Sequence, residues 1–191
     1  MRPQFVLLAG PNGAGKSTFY DEFLSNLNLP FLNADQIEAR TNVPSIEVAR
    51  VLDVFRNSLI EKGAGFITES VFSDPAGAKL EMLRKALSAG YDVTLIYIGV
   101  EPALSGLRVD QRVASGGHDV PRDRLASRFE RSLANLREAI QFVPLVKIYD
   151  NSLVDDPFRL IAVFRKGTEQ KGLARVRRPS WFVKFVRTLK K

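Results

Sequence analysis

Five short apolar runs punctuate the chain: Phe5–Ala9, Gly65–Thr68, Val93–Val100, Val146–Tyr149 and Leu160–Phe164. The first four are rich in Val, Ile and Leu and do not alternate with polar residues, the pattern of strands covered on both faces. Between them, Thr18–Leu27, Ile46–Lys62, Gly77–Ala89 and Pro121–Gln141 carry apolar residues at helical spacing and end at Gly or Pro. Strand and helix therefore alternate along the chain. That order predicts a three-layer α/β/α domain around a mainly parallel sheet. No internal repeat or low-complexity linker interrupts it. The one boundary expected is the polar, glycine-containing stretch 166–178, closed by Pro179, which divides a body over residues 1–166 from a tail over 167–191.

At 191 residues and 45% hydrophobic composition, one core is expected. The chain has no cysteine and one histidine, His118, which removes disulfides, zinc clusters and thiol nucleophiles as explanations and points to a reducing cytoplasm. The apolar run Phe5–Ala9 is too short to span a bilayer or form a signal segment. The formal charge of +7 is local: of 28 Lys and Arg, seven lie in residues 175–191, which leaves 21 against 21 Asp and Glu in residues 1–174. In that tail Trp181, Phe182, Phe185, Val186 and Leu189 share one helical face, with Lys184, Arg187 and Lys190 opposite. Such a helix suits docking onto the body with its bases outward; an anionic membrane surface or RNA are the other partners its charge fits.

The stretch "GPNGAGKST" follows the first strand and opens the first helix. Gly10, Gly15, Lys16 and Ser17 satisfy G-x-x-x-x-G-K-[ST] in the strand-to-helix context that gives the pattern its mechanism. The backbone of Gly10, Pro11, Asn12, Gly13, Ala14 and Gly15 curls so that successive N–H groups face phosphate oxygens, and the helix aims its positive end at the same anion. Lys16 reaches the β and γ phosphates, Ser17 offers its hydroxyl to Mg²⁺, and Thr18 follows at the rim. A nucleoside triphosphate is the ligand this loop predicts.

Further motifs narrow the reaction. The chain has neither an "LSGGQ" nor an "NKxD" stretch, which weakens transporter and GTPase readings. In "PFLNAD", Asp35 ends a short apolar segment at the crevice above the strand ends, where a carboxylate can take the proton of an attacking hydroxyl. The same residue also suits the cap of a helix beginning near Gln36. Glu69, in "GFITES", ends the second strand and either orients the acceptor, holds a metal-bound water or is a solvated terminus. Arg108 and Arg112 lie one helical turn apart before Gly116 and Gly117 break the helix around His118, and Pro121 opens the next one. This reads as a hinged lid over about residues 105–135. On its second helix Arg124, Arg128, Arg131 and Asn135 form a stripe beside the apolar face of Phe129, Leu133, Leu136 and Ile140. Clustered guanidiniums suit the charge of phosphoryl transfer or binding of the substrate; a solvated face paired with Asp123 and Glu130 is the alternative.

With "GPNGAGKST", "LNAD", "ITESVFS", "GYDVTLIYIGV", "RVASGGHDVPRDRLASRFERSLANL" and "IYDNS" in this order, residues 4 to about 165 resemble the zeta-toxin-like small P-loop kinases. The resemblance implies a P-loop NTPase fold akin to nucleotide and shikimate kinases, with ATP and Mg²⁺ as cofactors. It implies a hydroxyl acceptor, in zeta toxins the 3′-hydroxyl of a UDP-linked N-acetyl amino sugar, and an antitoxin protein as a partner. Matched by motif, Lys16 and Ser17 belong to the nucleotide site, Asp35 is the base, Glu69 the acidic residue after the middle strand, and Arg112 and Arg128 the transition-state arginines. Arg108 and Arg131 fall to substrate binding, and Asn151, in the segment that touches adenine in related kinases, to the nucleotide. A nucleotide or polynucleotide kinase, or a non-enzymatic module that binds a partner when nucleotide closes its lid, are the competing readings.

Overall fold

The computed structural model describes residues 2–38, 41, 43, 45–114, 122–170 and 176–189. Its centre is a seven-stranded sheet of order β2-β3-β1-β4-β5-β6-β7. The strands are β1 (Gln4–Ala9), β2 (Phe31–Leu32), β3 (Phe66–Ser70), β4 (Asp92–Gly99), β5 (Leu145–Asp150), β6 (Arg159–Arg165) and β7 (Thr168–Glu169). The first five are parallel, and β6 and β7 add antiparallel strands at one edge. Every residue of β1 beyond Gln4 is buried, as a non-alternating apolar strand requires when both faces are covered. In β5, buried and half-buried residues alternate despite its short apolar run, because it lies toward the antiparallel edge, where cover is uneven.

The helices are α1 (Lys16–Phe23), followed by a 3₁₀ turn (Ser25–Leu27), then α2 (Ala34–Glu38), α3 (Ser45–Glu61), α4 (Ala78–Ser88), α5 (Pro102–Ala114), α6 (Arg122–Phe142) and α7 (Ser180–Leu189). On one face of the sheet Phe5, Leu7, Leu95 and Ile148 meet Val48 and Leu52 of α3, Leu83 of α4, Leu136 of α6 and Phe182 of α7. On the other, Val6, Leu8, Ile96 and Ile98 meet Phe19 of α1 and Phe158 of the β5–β6 connection. Period-2 alternation of side chains in β1 thus feeds two cores from one strand. The segments Gly116–Gly117, His118 and Pro121, expected to hinge the lid, lie outside the described residues.

The expected boundary at residue 166 coincides with the β6–β7 turn, where Lys166 and Gly167 both have positive φ (48° and 79°). The sheet therefore continues past it, and Arg178 pairs with Glu169 of β7. The amphipathic tail helix packs on the body. Trp181, Phe182 and Phe185 of α7 are buried in the main core while Lys184 and Arg187 face outward. Gly99 of β4 is glycine because the indole occupies the space above it: a Cβ there would stand 2.0 Å from Trp181 Cζ2. Among the described residues no helix is long and apolar enough to cross a membrane.

Because Phe182 is fully buried, Phe182→Ala removes a ring and leaves a cavity. It should destabilise the protein by about 3–5 kcal/mol in urea denaturation.

Candidate active site

The nucleotide loop joins β1 to α1. Gly10, with φ of 145°, runs so close to β4 that a Cβ would lie 2.1 Å from the carbonyl oxygen of Ile98, so no other residue lets the loop leave the sheet on this path. Gly15, with φ of 86°, stands at the N-cap of α1 and offers no side-chain hydrogen bond to the helix start. The first N–H groups of α1 therefore point outward uncapped, which makes that end a receptor for an anion.

Three elements converge on this end. Lys16, buried, donates from Nζ to the Pro11 carbonyl at 3.1 Å and lies 3.5 Å from Glu69 Oε1. Ser17 Oγ donates to Glu69 Oε2 at 3.1 Å, and Asn33 Nδ2 donates to the same oxygen at 2.8 Å. Glu69 belongs to β3, which pairs with β1 in the register Leu8↔Glu69, and that pairing alone carries the carboxylate to the loop. It is therefore not a solvated strand end.

Asn33 precedes α2 and its Oδ1 accepts from the Gln36 N–H at 3.3 Å, so Asn33 caps this helix. The sequence left open whether Asp35 was a cap; the structure puts Asp35 in the first turn of α2, exposed, on the wall of a cavity of about 410 Å³. Lys16, Ser17, Thr18, Asn33 and Glu69 line the same cavity. A groove of about 440 Å³ between α5 and α6 is similar in size but lined by Pro102, Leu107, Leu125 and Phe129, with no phosphate-binding loop.

The far wall holds a cluster that the motifs did not reveal. Arg56 of α3 is 4% exposed and donates from Nε to Thr68 Oγ1 at 2.8 Å and from Nη1 to Asp53 Oδ1 at 2.7 Å. Lys79 of α4 reaches the same Asp53 oxygen at 2.6 Å. Burial pushes the Asp53 carboxyl up, but Lys79 and Arg56 outweigh it and hold the group below its ordinary value. Burial lowers the Arg56 guanidinium, against the pull of Asp53. A signal for Arg56 was present: it interrupts the stripe Val48, Leu52, Ile60 at spacing four, where a charge must find a buried partner. Lys79 had none, since only the packing of α4 beside α3 brings it there.

The other candidates stand elsewhere. Arg108 of α5 lies on the opposite flank of the loop and donates from Nη1 to the carbonyls of Gly13 at 3.3 Å and Asn151 at 3.0 Å. Asn151 is buried behind the loop and its Nδ2 donates to the Ala14 carbonyl at 2.9 Å. On α6, Arg131 Nε donates to the Ser73 carbonyl at 3.0 Å, and Asn135 Nδ2 to those of Phe72 and Asp74 at 3.0 and 3.2 Å. Arg131 and Asn135 therefore grip the β3–α4 connection, while Arg124 of the same stripe is exposed. Arg128, half-buried on the same helix, is not among the residues lining the cavity. The Arg112 side chain lies outside the described residues.

A family model described as zeta toxin matches residues 1–167. Among solved structures, a chain of the AvrRxo1-ORF1:-ORF2 complex with ATP superposes with a TM-score of 0.71 at 15% identity, over 96% of this chain and 63% of that one. A chain of the PezAT chromosomal toxin–antitoxin system of Streptococcus pneumoniae gives 0.66 at 14% identity, over 99% and 85%. The signal recognition particle receptor FtsY of Nitratidesulfovibrio vulgaris is 32% identical over 102 residues, which are 49% of this chain and 18% of that protein. The chain thus spans less than two thirds of the AvrRxo1 chain and under a fifth of FtsY. At these identities the structural likenesses show the fold.

A carboxylate whose folded pKa is depressed adds stability that is complete above its unfolded value and disappears as pH falls through the folded one. The stability advantage of the wild type over Lys79→Met should therefore be full at neutral pH. It should shrink as the pH falls below 3.8, the ordinary value for Asp53, and urea denaturation at a series of pH values measures it.

Proposed function

The chain belongs to the zeta toxin family and is a P-loop phosphotransferase, and from that premise we propose that it transfers the γ-phosphate of ATP to a hydroxyl of a small-molecule acceptor. The observation that carries this reading is the meeting of Lys16, Ser17 and Glu69 at the head of a cavity whose wall holds Asp35. The loop N–H groups and Lys16 hold the β and γ phosphates, and the start of α1 adds its dipole to the same charge. The acceptor hydroxyl enters from the α2 side, where the Asp35 carboxylate takes its proton as the oxygen attacks phosphorus. The new O–P bond forms as the bond from the γ-phosphorus to the β–γ bridging oxygen breaks, and ADP leaves with that electron pair.

Mg²⁺ fits the residues present. Ser17 Oγ and Glu69 are hard oxygen donors 3.1 Å apart beside the phosphate loop, and this ion needs few protein ligands when phosphates and water complete its shell. It would be held by Ser17, directly or through water by Glu69, and would supply charge neutralisation on the phosphates. Arg112 and Arg128 are the arginines proposed to meet the charge that develops on the transferred group, and Arg108 is assigned to substrate binding. Asn151 reaches the nucleotide through the loop it braces, and Arg131 reaches the acceptor through the Ser73 carbonyl it holds.

Family membership nominates a UDP-linked N-acetyl amino sugar as the first acceptor to try and an antitoxin as the protein partner. The cysteine-free composition suits a cytoplasmic setting.

Asp35→Asn keeps the side-chain shape and removes the proton acceptor. ATP affinity should hold while phosphorylation of the acceptor falls by about 10² to 10⁴-fold, the range usual for loss of a general base. Since Asn33 caps α2, no capping loss confuses the result. Lys16→Ala should weaken ATP binding and stop transfer. UDP-N-acetylglucosamine with γ-labelled ATP is the starting assay; normal turnover by Asp35→Asn would exclude Asp35 as the base, and a silent wild type would remove that sugar.

A further inference from the structure

The C-terminal helix is wired to the back of the nucleotide loop. Trp181, the single tryptophan of the chain, is 2% exposed and donates from Nε1 to Asp150 Oδ1 at 2.9 Å. Asp150 ends β5 and is itself buried; the same oxygen accepts from Ser152 Oγ at 2.6 Å, and Oδ2 accepts from Arg159 Nη2 at 3.3 Å. The next residue, Asn151, donates its backbone N–H to the Gly99 carbonyl at 2.9 Å and its side-chain amide to Ala14 of the loop. Gly99 is also the residue on which the indole rests. Both groups that position Asn151, its neighbour Asp150 and its anchor Gly99, thus touch Trp181.

The start of α7 is held at the same place. Ser180 donates from its backbone N–H and hydroxyl to Glu101 Oε1, each at 2.9 Å, and the Glu101 N–H donates to Ser152 Oγ at 2.9 Å. Core packing accounts for Phe182 and Phe185, but it does not require an indole N–H aimed at a buried carboxylate. We infer that Trp181 is a positioning residue for the nucleotide loop. Through Asp150 it fixes the β5–β6 connection so that Asn151 holds the Ala14 carbonyl and leaves the loop N–H groups turned to the phosphates. The inference rests on the kinase reading of that loop.

Three variants of the full chain test it by calorimetric titration with MgATP, each with a thermal melt. Trp181→Phe keeps a ring and removes the N–H, and Asp150→Asn keeps the volume and removes the charged acceptor. Each should weaken ATP by about three- to tenfold, the scale of one ordinary hydrogen bond. Phe185→Leu, on the same helix but off this path, should lower the melting temperature and leave ATP affinity unchanged. Should Trp181→Phe fail to fold, Asp150→Asn carries the comparison. Equal affinities in all four proteins would overturn the coupling and leave the kinase reading intact, as would a Phe185→Leu loss as large as that of Trp181→Phe. A wild type that binds no ATP would overturn the kinase reading and this inference with it.

Discussion

The register between β1 and β3 is the constraint on which the site depends. Leu8 lies opposite Glu69 and Ala9 opposite Ser70, so the carboxylate emerges where β1 gives way to the loop. Side chains alternate between faces at every residue, and a slip by one position would send Glu69 to the other face of the sheet and bring a neutral side chain to Lys16 and Ser17. Parallel pairing at the centre of a sheet buried on both faces makes such a slip expensive, because it would also exchange Phe66 and Ile67 between the two cores. Thus the apolar strands hold a polar site in place.

The strand carrying Glu69 has to end abruptly so that the chain clears the cavity. It ends at Ser70, and the chain turns at Phe72, fully buried with φ of 60°, a conformation a bulky residue adopts only when its surroundings compel it. Ser70 Oγ accepts the Phe72 N–H at 2.9 Å, and Asn135 of α6 holds its carbonyl. Arg131 and Asn135 therefore tie α6 to the connection that follows Glu69.

Charge is handled in the same way on the two sides of the cavity. At the loop, Glu69 is shared among Lys16, Ser17 and Asn33; at the far wall, Asp53 is shared between Lys79 and Arg56. In each case a carboxylate with several donors keeps cations fixed in a partly buried cavity where a lone charge would be costly. Of the seven basic residues in the C-terminal stretch, Arg178 pairs with Glu169 and lies over the Phe182 ring, while Lys184 and Arg187 face outward from the docked helix.

The α/β/α class, five of the seven strands, the main helices between them and the phosphate loop were legible from the chain, because non-alternating apolar runs, helical spacing and a glycine-lysine motif are local properties, whereas the short strands β2 and β7 were not. So was the amphipathic face of α7. Beyond reach were matters decided by contacts between distant segments: that Asn33 rather than Asp35 caps α2, that Glu69 meets Ser17, that Lys79 joins Arg56, and that Arg131 spends its Nε on a backbone carbonyl. Arginines on one helical stripe look alike in sequence whether they face a ligand, solvent or a loop; only the packing of α6 against the β3–α4 connection separates them. The docking of α7 was likewise settled by tertiary structure, since an apolar face must be buried somewhere but only Gly99, by lacking a side chain, opens the place for Trp181.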